Sequence, residues 1–137
     1  MNILIMGLPG AGKTTLAEAL QKRLNATWHN ADDIRKQFND MDFSVDGRLR
    51  QASRMSQLAA MDIFDGWQHT ICDFVAPTEE IRDLFDADYI IWVDTITEGR
   101  FEDTNKLFEP PESYDVRVTE QDAERWADMI AKDINEA

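Results

Sequence analysis

Gly7-Leu8-Pro9-Gly10-Ala11-Gly12-Lys13-Thr14 stands between the apolar run Asn2–Met6 and a helical face marked by Leu16, Ala19, Leu20 and Leu24. The stretch fits G-x-x-x-x-G-K-[ST] at every position, in the strand-then-helix setting that gives the pattern its meaning. Glycines let successive backbone N–H groups turn inward and approach phosphate oxygens closely. The helix N-terminus that follows adds a favourable dipole for an anion. Lys13 supplies a compact positive charge for the β and γ phosphates, and Thr14 offers a hydroxyl to the Mg2+ that bridges them. Gly7, Leu8, Pro9, Gly10, Ala11, Gly12, Lys13, Thr14 and Thr15 are therefore expected to hold ATP with Mg2+. The bland alternative is a chance glycine turn, which motif and context together disfavour.

Further apolar runs read as buried strands at His69–Phe74 and Tyr89–Val93, with shorter ones at Thr27–Asn30 and Tyr114–Val118. Between them lie helical patterns. Leu49, Ala52, Met55, Leu58, Ala59, Ala60 and Ile63 mark a long helix, and Thr119-Glu120-Gln121-Asp122 reads as the start of a last one carrying Ala123, Trp126, Ile130 and Ile134. Strands alternating with helices predict an α/β chain of the P-loop NTPase type. Its three layers would be a mainly parallel five-stranded sheet flanked by helices, in one domain over residues 1–137. Ligands in such folds bind at the carboxyl ends of the strands.

The composition narrows the function classes. With 43% hydrophobic and 30% charged residues, the chain reads as globular. No apolar run approaches the roughly 20 residues that span a bilayer, so no membrane partner is expected. The apolar start is too short for a signal peptide and lacks a basic leader. The lone Cys72 leaves no intrachain pairing, reads as a buried strand residue and suits a reducing cytoplasmic setting. A net charge of −13, from 27 acidic and 14 basic residues, repels polyanions and makes a nucleic-acid partner an unfavoured expectation. His29, His69 and Cys72 show no zinc spacing. Trp28, Trp67, Trp92 and Trp126 read as core or near-core, and Glu109-Pro110-Pro111-Glu112 as a loop.

A kinase also needs a group that positions or deprotonates the acceptor. Asn30-Ala31-Asp32-Asp33-Ile34-Arg35 directly follows the second apolar run. Asp32 suits a hydroxyl proton or a Mg2+-bound water. Arg35, one turn later, is expected on the same side, facing an acceptor phosphate or the carboxylate. The competing reading is an ordinary helix start with Asn30 or Asp32 as N-cap. Asp73, closing Thr70-Ile71-Cys72-Asp73, is a third metal-side candidate beside Thr14 and Asp32, of the Walker B kind; the competing reading is an ordinary polar strand terminus.

With these residues in view, the chain resembles the adenylylsulfate kinase (APS kinase) family. That family opens with a GLSGSGKTT-like loop, here Gly7-Leu8-Pro9-Gly10-Ala11-Gly12-Lys13-Thr14-Thr15. A DGDNVR-like element follows as Asn30-Ala31-Asp32-Asp33-Ile34-Arg35, with Asn30 in place of the first acid. A DLGFSxxDRxENIRR-like stretch appears as Asp40-Met41-Asp42-Phe43-Ser44 with Arg48 and Arg54 in ungapped register, Gln51 where the family has asparagine, and Ser53 for an arginine. Val75-Ala76-Pro77-Thr78 stands where the family has ISPYR. The long lid is reduced to Arg100-Phe101-Glu102-Asp103-Thr104-Asn105-Lys106-Leu107-Phe108.

The resemblance implies transfer from MgATP to the 3′-hydroxyl of adenylyl sulfate, with Lys13, Asp32 and Arg35 catalytic. It implies an acceptor site of Asp32, Arg35, Phe43, Arg48, Gln51, Val75, Lys106 and Phe108. Phe43 would lie against the adenine, Arg35 and Arg48 toward the phosphosulfate, Lys106 in place of a lid lysine, and Phe108 over the acceptor base. Related kinases often form homodimers. Two other readings stay open. One is a different small P-loop kinase, such as a polynucleotide 5′-hydroxyl, nucleoside or sugar kinase. The other is a nucleotide-binding module without transfer activity, against which the retention of Asp32 and Arg35 speaks.

Overall fold

The computed structural model describes residues 1–99 and 101–136, so Arg100 of the shortened lid lies outside the described residues. β1 (Asn2–Met6) is the middle strand of five. Its side chains alternate. Ile3 and Ile5 enter one apolar cluster and Leu4 and Met6 the other, all fully buried. A strand buried on both faces reads as continuous apolar sequence, which is why this run shows no polar alternation.

β1 pairs in parallel with β3 (His69–Asp73) on one side and β4 (Tyr89–Val93) on the other. β2 (Ala26–Asn30) lies outside β3, and β5 (Val116–Val118) outside β4, giving the order β2-β3-β1-β4-β5 with every pairing parallel. α1 (Lys13–Gln21) and α6 (Ala123–Glu136) cover one face through Leu16, Leu20, Ile130 and Ile134. The other face carries α2 (Ala31–Phe38), α3 (Val45–Phe64) and α4 (Glu79–Phe85), packed through Ile34, Met55, Ala59 and Phe85. A short helix, α5 (Glu102–Leu107), follows β4. This is the five-stranded, helix-flanked sheet that the sequence predicts. Among the described residues no helix is long and apolar enough to cross a membrane.

Local chemistry sets the helix starts. The Asn30 side chain accepts from Asp33 N at 3.1 Å, Ser44 Oγ from Gly47 N at 3.1 Å, and Thr78 Oγ1 from Ile81 N at 3.3 Å. Two expectations need correction. The fifth strand pairs only from Val116, because Tyr114 leaves the sheet and packs its ring against Trp92 at 5.5 Å. Trp67 is 43% exposed in the turn after α3, whereas Trp28, Trp92 and Trp126 are half-buried.

Candidate active site

The loop between β1 and α1 closes on itself. Ala11 N donates to Leu8 O at 3.1 Å, and Thr95 Oγ1 donates to Ala11 O at 2.7 Å, tying the loop to the segment after β4. Gly7 is required by close approach: at φ +151° a Cβ here would sit 2.4 Å from Val93 O. Gly12, at φ +103°, turns the chain into α1. Lys13 Nζ curls back over the loop and donates to Leu8 O at 3.0 Å. A lysine lying across a glycine loop at the start of a helix suits an anion.

Two cavities open beside this loop and share Gly12 and Thr15. The larger, about 620 Å3, runs along Pro9, Gly10, Lys13 and Thr14 to Asn30, Asp32 and Asp73, and then to Phe43, Arg48, Val75, Phe101, Asp103 and Thr104. The smaller, about 210 Å3, is bounded by Ala11, Thr95, Glu120, Gln121, Asp122 and Trp126. The combined setting, at the carboxyl ends of β1, β2 and β3, is where an open parallel sheet holds its ligands.

Beneath the loop, Asp73 is almost fully buried. Burial pushes its carboxyl above the ordinary value. Hydrogen bonds from Trp28 Nε1 at 2.7 Å and from Asn30 Nδ2 at 3.2 Å, with the charge of Lys13, pull the other way, while nearby Asp32 adds to the push. Asn30 Nδ2 also donates to Thr14 Oγ1 at 3.2 Å. Thr14, Asn30 and Asp73 thus form one hydrogen-bonded group at the phosphate end of the cleft. A hydroxyl and a carboxylate beside a phosphate cradle are oxygen donors suited to a Mg2+ held jointly with a nucleotide.

The structure brings together Lys13, Thr14, Asp32, Phe43, Arg48, Asp73 and Val75 along one cleft, with Asp32 exposed in the first turn of α2. It does not bring four of the expected acceptor residues there. Arg35 is 5% exposed and donates to Asp40 O and Asp42 O at 3.0 and 3.1 Å. Gln51 is buried and donates to Ala31 O at 3.1 Å. Lys106 points to solvent and pairs with Glu102 at 3.4 Å. Phe108 packs under the Arg82 guanidinium, 5.4 Å from its ring centre, against the apolar cluster on the α3 side. Of the phosphate loop itself, Gly7 and Leu8 are buried and shape the loop from beneath.

Sequence reasoning passed over Trp28, Asn30 as a bridge, Phe101, Asp103 and Thr104. Strand periodicity held a usable signal for the first two: Trp28 and Asn30 share a face of β2, and Asn30 is in register with Asp73.

Comparison with known proteins agrees with this architecture. No curated protein sequence matches the chain. Among solved structures, the Mycobacterium tuberculosis APS kinase CysC in complex with AMPPNP and APS superposes with a TM-score of 0.80 at 19% identity, covering 99% of this chain and 97% of that one. An unliganded Janibacter sp. sugar kinase gives 0.77 at 16% identity over 99% and 95% of the two chains. Shikimate kinase from Acinetobacter baumannii in complex with shikimate gives 0.64 at 14% identity over 98% and 93%. These likenesses establish the fold. The family model described as AAA domain matches residues 3–127, nearly the whole chain, and on that match the chain belongs to the AAA domain family.

Proposed function

We propose that the protein is an ATP-dependent kinase that transfers the terminal phosphoryl group to the hydroxyl of a small, ring-bearing acceptor, with adenylyl sulfate the leading candidate. One observation carries this reading. The phosphate loop, the exposed carboxylate of Asp32, and a wall of Phe43, Phe101 and Arg48 line a single cleft. A protein that only held nucleotide would have no use for the second half of it.

The roles follow from chemistry. Loop amides and Lys13 hold the phosphates and meet the charge that builds on the transferred group. Thr14 and Asp73 would hold Mg2+, which spreads charge over the β and γ phosphates when bound. Asp32, free on the cleft surface, accepts the acceptor hydroxyl proton or orients a water that does so. The smaller cavity beside Gly12 and Thr15 takes the donor base against Trp126 and Gln121. The acceptor ring stacks on Phe43, faced by Phe101 rather than by Phe108. Arg48 meets an acceptor anion. The lone buried Cys72 suits a reducing cytoplasmic setting.

The test is incubation with MgATP and adenylyl sulfate while ADP and 3′-phosphoadenylyl sulfate are followed together, with a 5′-hydroxyl oligonucleotide alongside. Acceptor-dependent formation of both products in equal amounts supports the proposal. ADP formed only with the oligonucleotide moves the assignment to the polynucleotide class.

A further inference from the structure

We propose that Arg35 is a positioning residue that builds the Phe43 face of the cleft and makes no contact with the acceptor. The inference rests on the reading of this cleft as the acceptor site, and it departs from what the sequence motif implies for this arginine.

The geometry leaves Arg35 little else to do. Its Nη1 donates to two carbonyls of one loop, Asp40 O at 3.0 Å and Asp42 O at 3.1 Å. Its guanidinium carbon lies 4.2 Å from the centre of the Phe43 ring. It is buried and absent from the cleft lining, whereas Phe43 is 52% exposed and lines it. A guanidinium on one face of an aromatic ring stabilises it by charge–quadrupole attraction and fixes its plane. The exposed part of the Phe43 ring lines the cleft, within reach of a ligand.

The loop that carries Phe43 is braced from other sides as well. Arg48 Nε donates to Phe43 O at 2.9 Å. The Asp40 and Asp42 carboxylates accept from Asp42 N at 3.2 Å and Ser44 N at 3.0 Å. Arg50 and Arg54 hold Asp40 at 2.8 and 3.0 Å. Gly47 lets α3 press onto the loop, since a Cβ there would meet Asp42 O at 2.1 Å. A phenylalanine on a loop held by this many hydrogen bonds and ion pairs is pre-organised, which lowers the ordering cost of binding. Arg48, 5.6 Å from the same ring centre and lining the cleft, is then the arginine left to meet the acceptor. Lysine cannot replace Arg35, because a point charge lacks the planar fork that bonds and stacks together.

Two measurements on four proteins decide it: wild type, Arg35→Lys, Phe43→Leu and the double variant. The first needs no acceptor. 13C relaxation of the Phe43 ring should show a rigid ring in wild type and a mobile one in Arg35→Lys; an equally rigid ring in Arg35→Lys overturns the inference. The second uses adenylyl sulfate as probe. Arg35→Lys should raise its KM about five- to tenfold, on the scale of a partly desolvated cation–π contact, with kcat and the KM for ATP within about twofold. In the Phe43→Leu background the same change should add almost nothing. An equal KM loss in both backgrounds would show that Arg35 touches the acceptor, and the inference fails. Absence of turnover by wild type removes adenylyl sulfate as acceptor, while the ring measurement still decides the role of Arg35. Phe43→Leu, at an exposed position, reports on the platform even where the buried Arg35→Lys change harms folding.

Discussion

The side-chain amide of Asn30 donates to both carboxylate oxygens of Asp73 and to the Thr14 hydroxyl, each at 3.2 Å, joining the ends of β2 and β3 to the first turn of α1. The same side chain caps α2 through Asp33 N. Asn30→Asp separates these duties, because aspartate caps a helix as well as asparagine does but cannot donate to a carboxylate. The new carboxylate would face buried Asp73, so we expect a stability loss of roughly 1–3 kcal/mol with the α2 cap kept. MgATP binding by calorimetry should be roughly tenfold weaker, a loss on the scale of a charge-assisted hydrogen bond. Unchanged affinity would reduce Asn30 to a helix cap.

Asp73 connects stability to pH with a definite sign. Burial holds its carboxyl above the usual carboxylate value. The folded protein therefore holds this proton more tightly than the unfolded chain does. Its effect on stability falls as pH rises from the usual value through the raised one, and is constant above it. Asp73→Asn removes that slope and keeps one acceptor oxygen, at the Oδ2 position to which both Trp28 and Asn30 donate. The nucleotide-free protein should gain about 0.5–2 kcal/mol at neutral pH, the size of other stabilising changes at functional sites. Urea unfolding at several pH values checks the gain, and loss of Mg2+-dependent ATP binding should accompany it.

Gly7→Ala should lower stability by roughly 1–3 kcal/mol, since the added methyl meets Val93 O inside van der Waals contact at a backbone angle that alanine avoids. The junction of β1, β4 and the phosphate loop would have to open. Thermal unfolding without nucleotide gives the first reading, and ATP affinity should fall alongside. A wild-type melting temperature would contradict the packing described at this junction.

Lys13→Ala removes the charge that lies across the loop at Leu8 O. Turnover should fall at least about 100–1000-fold, the usual loss on removing one transition-state stabiliser. Stability should fall only modestly, through the lost attraction to buried Asp73. Single-turnover kinetics and a melting curve test both halves of the statement.

The phosphate loop and the sheet were legible in the sequence because each is written in local terms. Gly7 to Thr14 fixes its own backbone, and Asn2–Met6 and Tyr89–Val93 are apolar enough to be buried on both faces. Asp32 was legible for the same reason: it sits one residue past Ala31, where β2 gives way to α2. The acceptor wall was harder to read. Motif spacing puts Arg35 one turn after Asp32, yet the loop Asp40–Ser44 folds back and takes up its guanidinium, an outcome decided by contacts that spacing does not encode. Phe101 and Phe108 flank the same short helix, and only the fold decides that Phe101 lines the cleft while Phe108 packs below Arg82. Trp67 looked apolar in context, but the turn at Gly66, φ +104°, leaves it at the surface.

The most direct test of the cleft as a phosphoryl-transfer site follows label from γ-32P-ATP onto adenylyl sulfate and shikimate, for wild type and for Asp32→Asn. Wild type should label one acceptor, adenylyl sulfate first among them. Asp32→Asn should bind ATP normally and transfer about 100-fold or more slowly, the scale of a lost general base. ATP binding by wild type with no label on any acceptor, or equal transfer by Asp32→Asn, would contradict the account.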